Sequence, residues 1–242
     1  MGRPAAVHQI LYGFQLQFTG VDIALVGGTG DIGEGLALRL ARDTDHDITI
    51  GSREKARAVS RAEEYSDTLR NRGCSTRLDS AANATAVRGA DVVVFTVPPY
   101  YLKETIRELE PHLGSDAILI SPAVGMNGDD DGLHYKPPET GSVGQMVAEV
   151  APPSNPVVCA FTNLSAARLT DLDDTVAQDT LIVGDDDESK AVVASIVESL
   201  DGITPVDAGP LANAPEVESL TVLLINIARY NERLENAGAK FV

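Results

Sequence analysis

The sequence is poor in basic residues: 19 Lys and Arg stand against 36 Asp and Glu among its 242 residues, a formal charge of −17. Nucleic acids and anionic membrane surfaces are bound by clustered Lys and Arg, so this scarcity excludes both as partners. Lysine is especially rare, with five in all, and acidic runs recur at 129–131 and 185–188. Like charges at this density repel one another and strain the compact state, and concentrated counterions screen that repulsion. We therefore predict a protein adapted to molar salt; the alternative is an ordinary acidic cytoplasmic enzyme.

Long apolar runs are also missing. The best candidates, 90–97 and 220–228, fall short of the roughly 20 residues that a membrane-spanning helix needs. Residues 1–20 lack the unbroken apolar stretch of a secretory signal, so we interpret them as a flexible extension or as the result of a start codon assigned too far upstream. Cys74 and Cys159 provide neither a disulfide framework nor a metal site, which favours the reducing cytoplasm.

Strands and helices alternate along the chain. The apolar segment 21–26 predicts a buried strand, and the glycines within 27–33 predict a turn. Ile32, Leu36 and Leu40 then recur at helical spacing. Further strands are predicted at 47–50, 76–78, 90–97, 117–120, 157–161, 180–183 and 203–206, and helices at 54–69, 81–87, 101–113, 142–150, 188–200 and 216–234. This alternation predicts an α/β fold with a doubly wound parallel sheet of the Rossmann type.

The composition changes near residue 140. Residues 126–142 are rich in Gly, Asp and Pro and predict a long loop at a domain margin. We therefore divide the chain into an extension at 1–20, a nucleotide-binding Rossmann domain at 21–140 and a smaller C-terminal α/β portion at 141–242. The last predicted helix has its apolar residues on one face, so it either closes the core or forms a subunit interface.

Three glycines stand directly between the first strand and the first helix of the Rossmann domain. In the pattern G-x-G-x-x-G the first glycine permits a tight turn, the second lets a pyrophosphate approach the backbone, and the third lets the helix pack on the sheet. The helix N-terminus adds a favourable dipole for the anion. We predict a dinucleotide site here, with a glycine turn that binds no ligand as the alternative. Its residues are Gly28, Thr29, Gly30, Asp31, Ile32 and Gly33.

The end of the second strand indicates which dinucleotide is bound. NAD enzymes usually have Asp or Glu there, which binds the adenosine ribose, but this sequence has Ser52 and Arg53, followed by Lys55 and Arg57. A hydroxyl and a guanidinium bind a 2′-phosphate, whereas a carboxylate repels it. We therefore predict NADP(H), held by Ser52, Arg53 and Arg57. The alternative is a solvated helix face.

The nicotinamide is expected at the carboxyl ends of the fourth and fifth strands, near the point where strand order reverses. Pro98 and Pro122 would form walls that keep the ring dry and oriented, although ending the strands would explain both prolines equally well. The candidate residues at these two strand ends are Thr96, Val97, Pro98, Pro122, Ala123 and Val124.

No proton donor stands out in this pattern. His112 and His134 are interpreted as surface residues, and the sequence has no C-x-x-C and no H-E-x-x-H. Reduction of a carbonyl needs a positioned acid, whereas hydride exchange between two cofactors mainly needs binding and orientation. The sequence therefore favours exchange between two cofactors, and we predict no catalytic side chain and no metal ligand.

Four separated motifs resemble those of the NADPH-dependent reductases of coenzyme F420, also called F420H2:NADP oxidoreductases. They are VGGTGDIGEGLALRL at 26–40, IGSR at 50–53, GDDDESK at 184–190, and DAGPL at 207–211 followed by VESL at 217–220. The resemblance covers about residues 21–242. It implies reversible hydride transfer between nicotinamide C4 and C5 of the 8-hydroxy-5-deazaflavin, in a homodimer and without a metal.

The resemblance also implies roles for individual residues. Thr29 would join the basic residues at the 2′-phosphate, Ile32 would lie at the pyrophosphate turn, and Pro98 would lie beside the nicotinamide. The deazaflavin contacts would come from 162–164 and from the turn 207–211, that is, from Thr162, Asn163, Leu164 and Leu211. Thr162 stands where the family often has His, which puts an acid–base role there in doubt and leaves a changed acceptor open.

Two other functions remain open at this point. An NADP-dependent reductase of a small imine or keto acid would turn over such a substrate and leave the deazaflavin untouched. A redox sensor without catalytic activity would bind NADP and transfer no hydride. An assay with NADPH and oxidised coenzyme F420 in high salt distinguishes the three.

Overall fold

The computed structural model describes residues 8–12, 15–74 and 78–242, and an eight-stranded sheet forms its centre. The strands are β1 (His8–Tyr12), β2 (Gln15–Thr19), β3 (Asp22–Val26), β4 (Asp47–Ser52), β5 (Leu78–Ala82), β6 (Val92–Phe95), β7 (Ile118–Ser121), β8 (Met126–Asp129), β9 (Gly132–Tyr135), β10 (Val157–Cys159), β11 (Gln178–Gly184) and β12 (Ile203–Asp207). The helices are α1 (Asp31–Asp43), α2 (Lys55–Arg70), α3 (Asn83–Ala86), α4 (Pro99–Leu109), α5 (Val143–Val150), α6 (Ala166–Thr170), α7 (Asp187–Glu198) and α8 (Ala214–Tyr230), with 3₁₀ turns at Glu110–His112 and Leu211–Asn213.

The strand order of the central sheet is β12-β11-β10-β7-β6-β3-β4-β5. From β3 the chain moves outward to β4 and β5, returns to β6 on the other side of β3, and continues through β7 to β10. These six strands are parallel, so their carboxyl ends share one edge. Strand order reverses between β3 and β6, where doubly wound folds bind ligands. The predicted fold class is confirmed.

The central strands are apolar because both faces of the sheet are covered. All four residues of β6 are buried. Val92 and Val94 pack into the core on one face of the sheet, and Val93 and Phe95 pack into the core on the other. A parallel strand with helices on both sides needs this continuous apolar run and cannot alternate with polar residues.

The last two strands reverse the direction of the sheet. β11 is antiparallel to β10, with Cys159 opposite Val183, and β12 is parallel to β11. Two strands of the opposite direction thus extend the predicted parallel sheet at this edge. A parallel neighbour requires a crossover, but the connection from β10 to β11 contains only the five-residue α6, so the chain turns back at the same edge.

Several predicted boundaries change. The predicted long loop at 126–142 contains the antiparallel hairpin of β8 and β9, whose first strand is exposed throughout and so lacks an apolar pattern. The helix predicted at 81–87 is shorter, because residues 81–82 belong to β5. The third strand begins at Leu78, and residues 76–77 lie outside the described part.

The described part of the predicted extension at 1–20 and the predicted domain boundary at residue 140 can both be located in the fold. Within 1–20, β1 and β2 pair as an antiparallel hairpin, and residues 1–7 and 13–14 lie outside the described part. Residue 140 lies between β9 and α5, and the central sheet continues across it, since β10 pairs with β7. In the described ranges, no helix has both the length and the apolar character needed to cross a membrane.

Candidate active site

The glycine turn follows β3 at the edge where strand order reverses. Gly27 has a φ of 78°, a left-handed conformation that favours glycine. The Gly28 N–H donates to Leu25 O at 3.0 Å and to Gly51 O at 3.1 Å, which ties the turn to the end of β4. The Tyr65 hydroxyl donates to Gly28 O at 3.2 Å. Burial raises the pKa of Tyr65 to about 12, so this donor stays protonated at neutral pH.

The motif glycines meet different surroundings. A Cβ on Gly33 would lie 2.5 Å from Gly28 Cα, so this glycine is needed for α1 to pack against the turn. A Cβ on Gly30 would meet nothing closer than Gly27 O at 3.7 Å, so the space before it is open. Thr29, between Gly28 and Gly30 in the sequence, is buried. Gly30 caps α1 without a side chain, which leaves the first helical N–H groups for an anion. The turn fits a pyrophosphate.

A basic corner, formed by Ser52, Arg53 and Arg57, lies where β4 ends and α2 begins. Ser52 is buried, and its Oγ accepts the N–H of Glu54 at 3.3 Å. Arg53 and Arg57 are exposed. The Arg53 guanidinium lies 5.5 Å from the centroid of the Tyr101 ring, within the range of a cation–π contact. This contact orients the guanidinium toward α4, on which Tyr101 lies.

The next basic residue along α2 differs from the corner. Arg61 Nη1 lies 2.8 Å from Glu64 Oε2 and 3.9 Å from Glu34 Oε2, and its hydrogen bond to Glu64 raises the pKa of Arg61. Arg53 and Arg57 form no ion pair with any residue in the described ranges. Their charges are therefore available to a phosphate.

A cleft of about 580 Å³ opens at the carboxyl edge of the sheet, beside the glycine turn. Its size falls within the roughly 300–1,000 Å³ of typical cofactor sites. Of its lining residues, only Asp31 has an ionisable side chain. The strand ends, α8 and the C-terminal tail supply the lining, which consists of Gly30, Asp31, Ile32, Phe95, Thr96, Val97, Pro98, Pro99, Pro122, Ala123, Val124, Met126, Thr162, Asn163, Leu164, Ser165, Ala166, Thr221, Leu224, Ile225, Ala228, Asn236 and Ala237.

The residues predicted from the sequence divide between this cleft and its border. Gly30, Asp31, Ile32, Thr96, Val97, Pro98, Pro122, Ala123, Val124, Thr162, Asn163 and Leu164 line the cleft. Gly28, Thr29, Gly33, Ser52, Arg53 and Arg57 lie in the adjoining glycine turn and basic corner. The structure thus places the predicted nicotinamide and phosphate residues side by side.

Leu211 lies away from the cleft. It is buried in a separate core cluster with Cys159, Val183 and Val217. Because β12 runs in the direction opposite to β10, the turn 207–211 that follows it lies toward the other edge of the sheet. The cleft lining of this chain therefore does not include Leu211, and the contact of Leu211 and this turn with the deazaflavin stays a prediction.

The loop after β10 forms a cleft wall with an uncommon backbone. Phe161 has a φ of 63°, and its N–H donates to Thr180 Oγ1 at 3.0 Å. Asn163 Oδ1 accepts hydrogen bonds from Thr180 Oγ1 at 3.2 Å and from the Leu181 N–H at 3.3 Å. Asn163 Nδ2 donates to Asp179 O at 2.7 Å. The Asn163 amide is therefore used to hold the loop in place.

Thr162 occupies the wall position where the family pattern often has His. Its carbonyl accepts the hydroxyl of Thr221 at 2.9 Å, and its own hydroxyl oxygen is buried without a hydrogen-bond partner. A threonine hydroxyl does not titrate near neutral pH. This wall therefore supplies no acid to the cleft.

Sequence reasoning missed the wall formed by α8 and the tail that follows it. Thr221, Leu224 and Ile225 line the cleft from α8, and Asn236 and Ala237 line it from the tail. The apolar stripe of α8 was a usable signal, but periodicity alone cannot distinguish a cofactor wall from a core contact or a subunit interface.

An open anion-binding turn beside an apolar cleft at the switch point is the arrangement of a pyridine-nucleotide-dependent oxidoreductase. A sequence profile described as "NADP oxidoreductase coenzyme F420-dependent" matches residues 22–125. The chain is 39% identical over 207 residues to the F420-dependent NADP reductase of Methanocaldococcus jannaschii, covering 85% of this chain and 91% of that protein.

A second relative and a solved structure agree with this assignment. The chain is 33% identical over 221 residues to the F420-dependent NADP reductase of Methanothermobacter marburgensis, covering 90% of this chain and 96% of that protein. A crystal structure from Arthrobacter sp. FB24, proposed there to be an F420-dependent NADP reductase, has a TM-score of 0.72 at 25% identity over 92% of this chain and 100% of that chain. The chain belongs to the family of F420-dependent NADP reductases, and the predicted oxidoreductase with NADP(H) and coenzyme F420 as cofactors is confirmed.

Proposed function

We propose that the cleft holds the nicotinamide and deazaflavin rings against each other and that hydride passes directly between them. The observation that carries this proposal is the lining, which joins the glycine turn to an apolar wall and offers no ionisable side chain beyond Asp31. When bound, the two cofactors supply the hydride chemistry at nicotinamide C4 and deazaflavin C5. The chain's residues then need only to orient the rings and exclude water.

The nucleotide half of this site lies in residues 21–140. The free N–H groups at the start of α1 would bind the pyrophosphate, and Thr29 with the basic corner would bind the 2′-phosphate. Pro98 and Pro122, on the ends of neighbouring strands, would confine the nicotinamide ring. The open space at Gly30 supports this placement, since phosphate can approach the backbone there.

The deazaflavin half lies in residues 141–242, which supply Thr162, Leu164 and the α8 wall. Asn163 serves this half by fixing the loop. Of residues 1–20, none that the structure describes lines the cleft, which supports our proposal that this segment is an extension.

We propose that the protein works as a homodimer in a cytoplasm of high salt. Leu223 and Tyr230 on α8 are 55% and 63% exposed, an apolar surface that a second copy would cover. The charge of −17 supports adaptation to salt. Sedimentation in molar KCl tests the dimer, and thermal unfolding in dilute buffer tests the salt requirement. A monomer, or a melting temperature that does not depend on salt, would contradict the respective proposal.

Isotope transfer tests the reaction itself. NADPH carrying deuterium at the transferred C4 position is mixed with oxidised coenzyme F420 in molar KCl. We expect bleaching of the visible deazaflavin band and deuterium at C5 of the product. Label lost to water would contradict direct transfer. If the band persists while a small imine or keto acid is reduced, the alternative reductase is correct, and if NADPH binds without any turnover, the redox sensor is correct.

A further inference from the structure

Glu218 on α8 is a buried carboxylate for which the proposed reaction has no use. It is 1% exposed. Its Oε1 accepts the N–H of Gly144 at 2.9 Å, and its Oε2 accepts the N–H of Val143 at 3.1 Å. The Tyr135 hydroxyl donates to Oε2 at 3.0 Å, and Tyr135 pairs with Met126 across the hairpin of β8 and β9. Both oxygens of the carboxylate are therefore occupied by donors.

Backbone dipoles take the place of a counter-ion for this charge. Glu218 forms no ion pair with a basic residue in the described ranges. Val143 and Gly144 begin α5, and a helix N-terminus is partly positive. Burial raises the pKa of Glu218, while the hydrogen bonds from these N–H groups oppose the rise. A buried charge is costly unless it is satisfied in this way.

The segments joined by Glu218 frame one side of the cleft. Gly125 lies between Val124 and Met126, which both line the cleft. The Gly125 carbonyl accepts the N–H of Lys136 at 2.9 Å, which ties the segment 124–126 to the residue after Tyr135. Ile225, which also lines the cleft, lies seven positions after Glu218 and so on the same face of α8. One carboxylate thus connects both walls.

We propose that Glu218 is a positioning residue that sets the distance between α8 and the segment 124–126, and with it the fit of the deazaflavin. The inference rests on the proposed function, because it assigns this side of the cleft to coenzyme F420. It also explains the motif VESL at 217–220, which contributes no side chain to the cleft lining. Glu218 touches neither cofactor and acts through the two walls.

Glu218→Gln tests the proposal, since an amide nitrogen would face a backbone N–H in place of one oxygen. We expect the KM for coenzyme F420 to rise about tenfold, while the KM for NADPH stays within about twofold of the wild type. Glu216→Gln is the matched control, because it removes an exposed acid from the same helix. The control should leave both KM values unchanged.

A merely structural role would lower the melting temperature and leave both KM values unchanged, and that result would overturn the proposal. Equal increases in the two KM values would overturn it as well. If Glu218→Gln does not fold, Tyr135→Phe removes one of the three hydrogen bonds and should raise the KM for coenzyme F420 by about threefold. Wild-type enzyme is assayed in parallel: absence of deazaflavin turnover there refutes the proposed function, and with it this inference.

Discussion

The two halves of the proposed site differ in the interactions by which they would recognise their cofactors. The arginines of the basic corner are exposed and lie within a few residues of one strand end, whereas the wall that we propose for the deazaflavin is apolar and is formed by α8, the loop after β10 and the C-terminal tail. An exposed corner discriminates by charge, because a 2′-phosphate differs from a hydroxyl mainly in charge. An apolar wall discriminates by shape, because every planar ring gains from leaving water.

This difference predicts that the two halves respond to separate substitutions. Changes in the corner should alter the choice between NADPH and NADH and leave coenzyme F420 unaffected. Changes in the wall should alter the KM for coenzyme F420 and leave the choice between NADPH and NADH unaffected. Any single substitution that shifts both equally would show that the halves are coupled.

The largest effect is expected from Arg53→Glu, which places a negative charge at the 2′-phosphate. One charge-assisted hydrogen bond is worth ~1.5–3 kcal/mol, so the KM for NADPH should rise about 10- to 150-fold, with little change for NADH. Steady-state kinetics with both nucleotides measures this. Arg61→Glu is the control, since Arg61 is already paired with Glu64. Equal losses for NADPH and NADH would contradict the phosphate role.

Gly30→Ala should weaken NADPH binding about tenfold, through the loss of backbone contact with a charged phosphate. The free protein has room for this methyl group, with its nearest neighbour at 3.7 Å, so its melting temperature should not change. Gly33→Ala provides the contrast, because its methyl group would clash with Gly28 and lower the melting temperature. Titration calorimetry and thermal unfolding separate the two. Unchanged NADPH binding in Gly30→Ala would place the phosphate elsewhere.

Ile225→Ala should raise the KM for coenzyme F420 about threefold to fivefold, since part of an apolar wall is lost, and leave the KM for NADPH unchanged. Ile225 is 39% exposed, so little stability should be lost with it. The KM for NADPH is the internal control, because we propose that the nucleotide half of the site lies in residues 21–140. A similar increase in the control would point to a general effect on α8.

The smallest effect is expected from Tyr101→Leu, which removes the ring beneath Arg53. An exposed cation–π contact is worth ~0.5–1 kcal/mol, so the preference for NADPH over NADH should fall about twofold to fivefold. Tyr101→Phe keeps the ring and should keep the preference. The ratio of kcat/KM values for the two nucleotides measures the change, and an unchanged ratio in Tyr101→Leu would show that Arg53 is oriented by other contacts.

The parts of the site that were predictable are local in sequence. Gly30 lies in the turn after β3 and Arg53 directly follows β4, and the carboxyl end of a parallel strand lies at the ligand edge. Leu211 follows a strand too, but it does not line the cleft. A short connection makes β11 antiparallel to β10, and β12 runs in the same direction as β11. The position of Leu211 therefore depends on strand pairing, which the hydrophobic pattern does not specify.

Glu218 shows a second limit. As a residue in the sequence it is one acid among 36 acidic residues, and helical periodicity cannot tell a buried acid from a solvated one. Its burial depends on α5 and on β9, which lie far from it along the chain. Such contacts exist only after the segments pack.

The amino-acid sequence alone was sufficient for the class of fold, for the anion-binding turn and for the choice of nucleotide, because each depends on short-range stereochemistry and charge. Tertiary structure decided the direction of the last strands, the apolar wall of α8 and the burial of Glu218. These features depend on which segments, distant in sequence, pack together and exclude water. No local sequence pattern determines that packing.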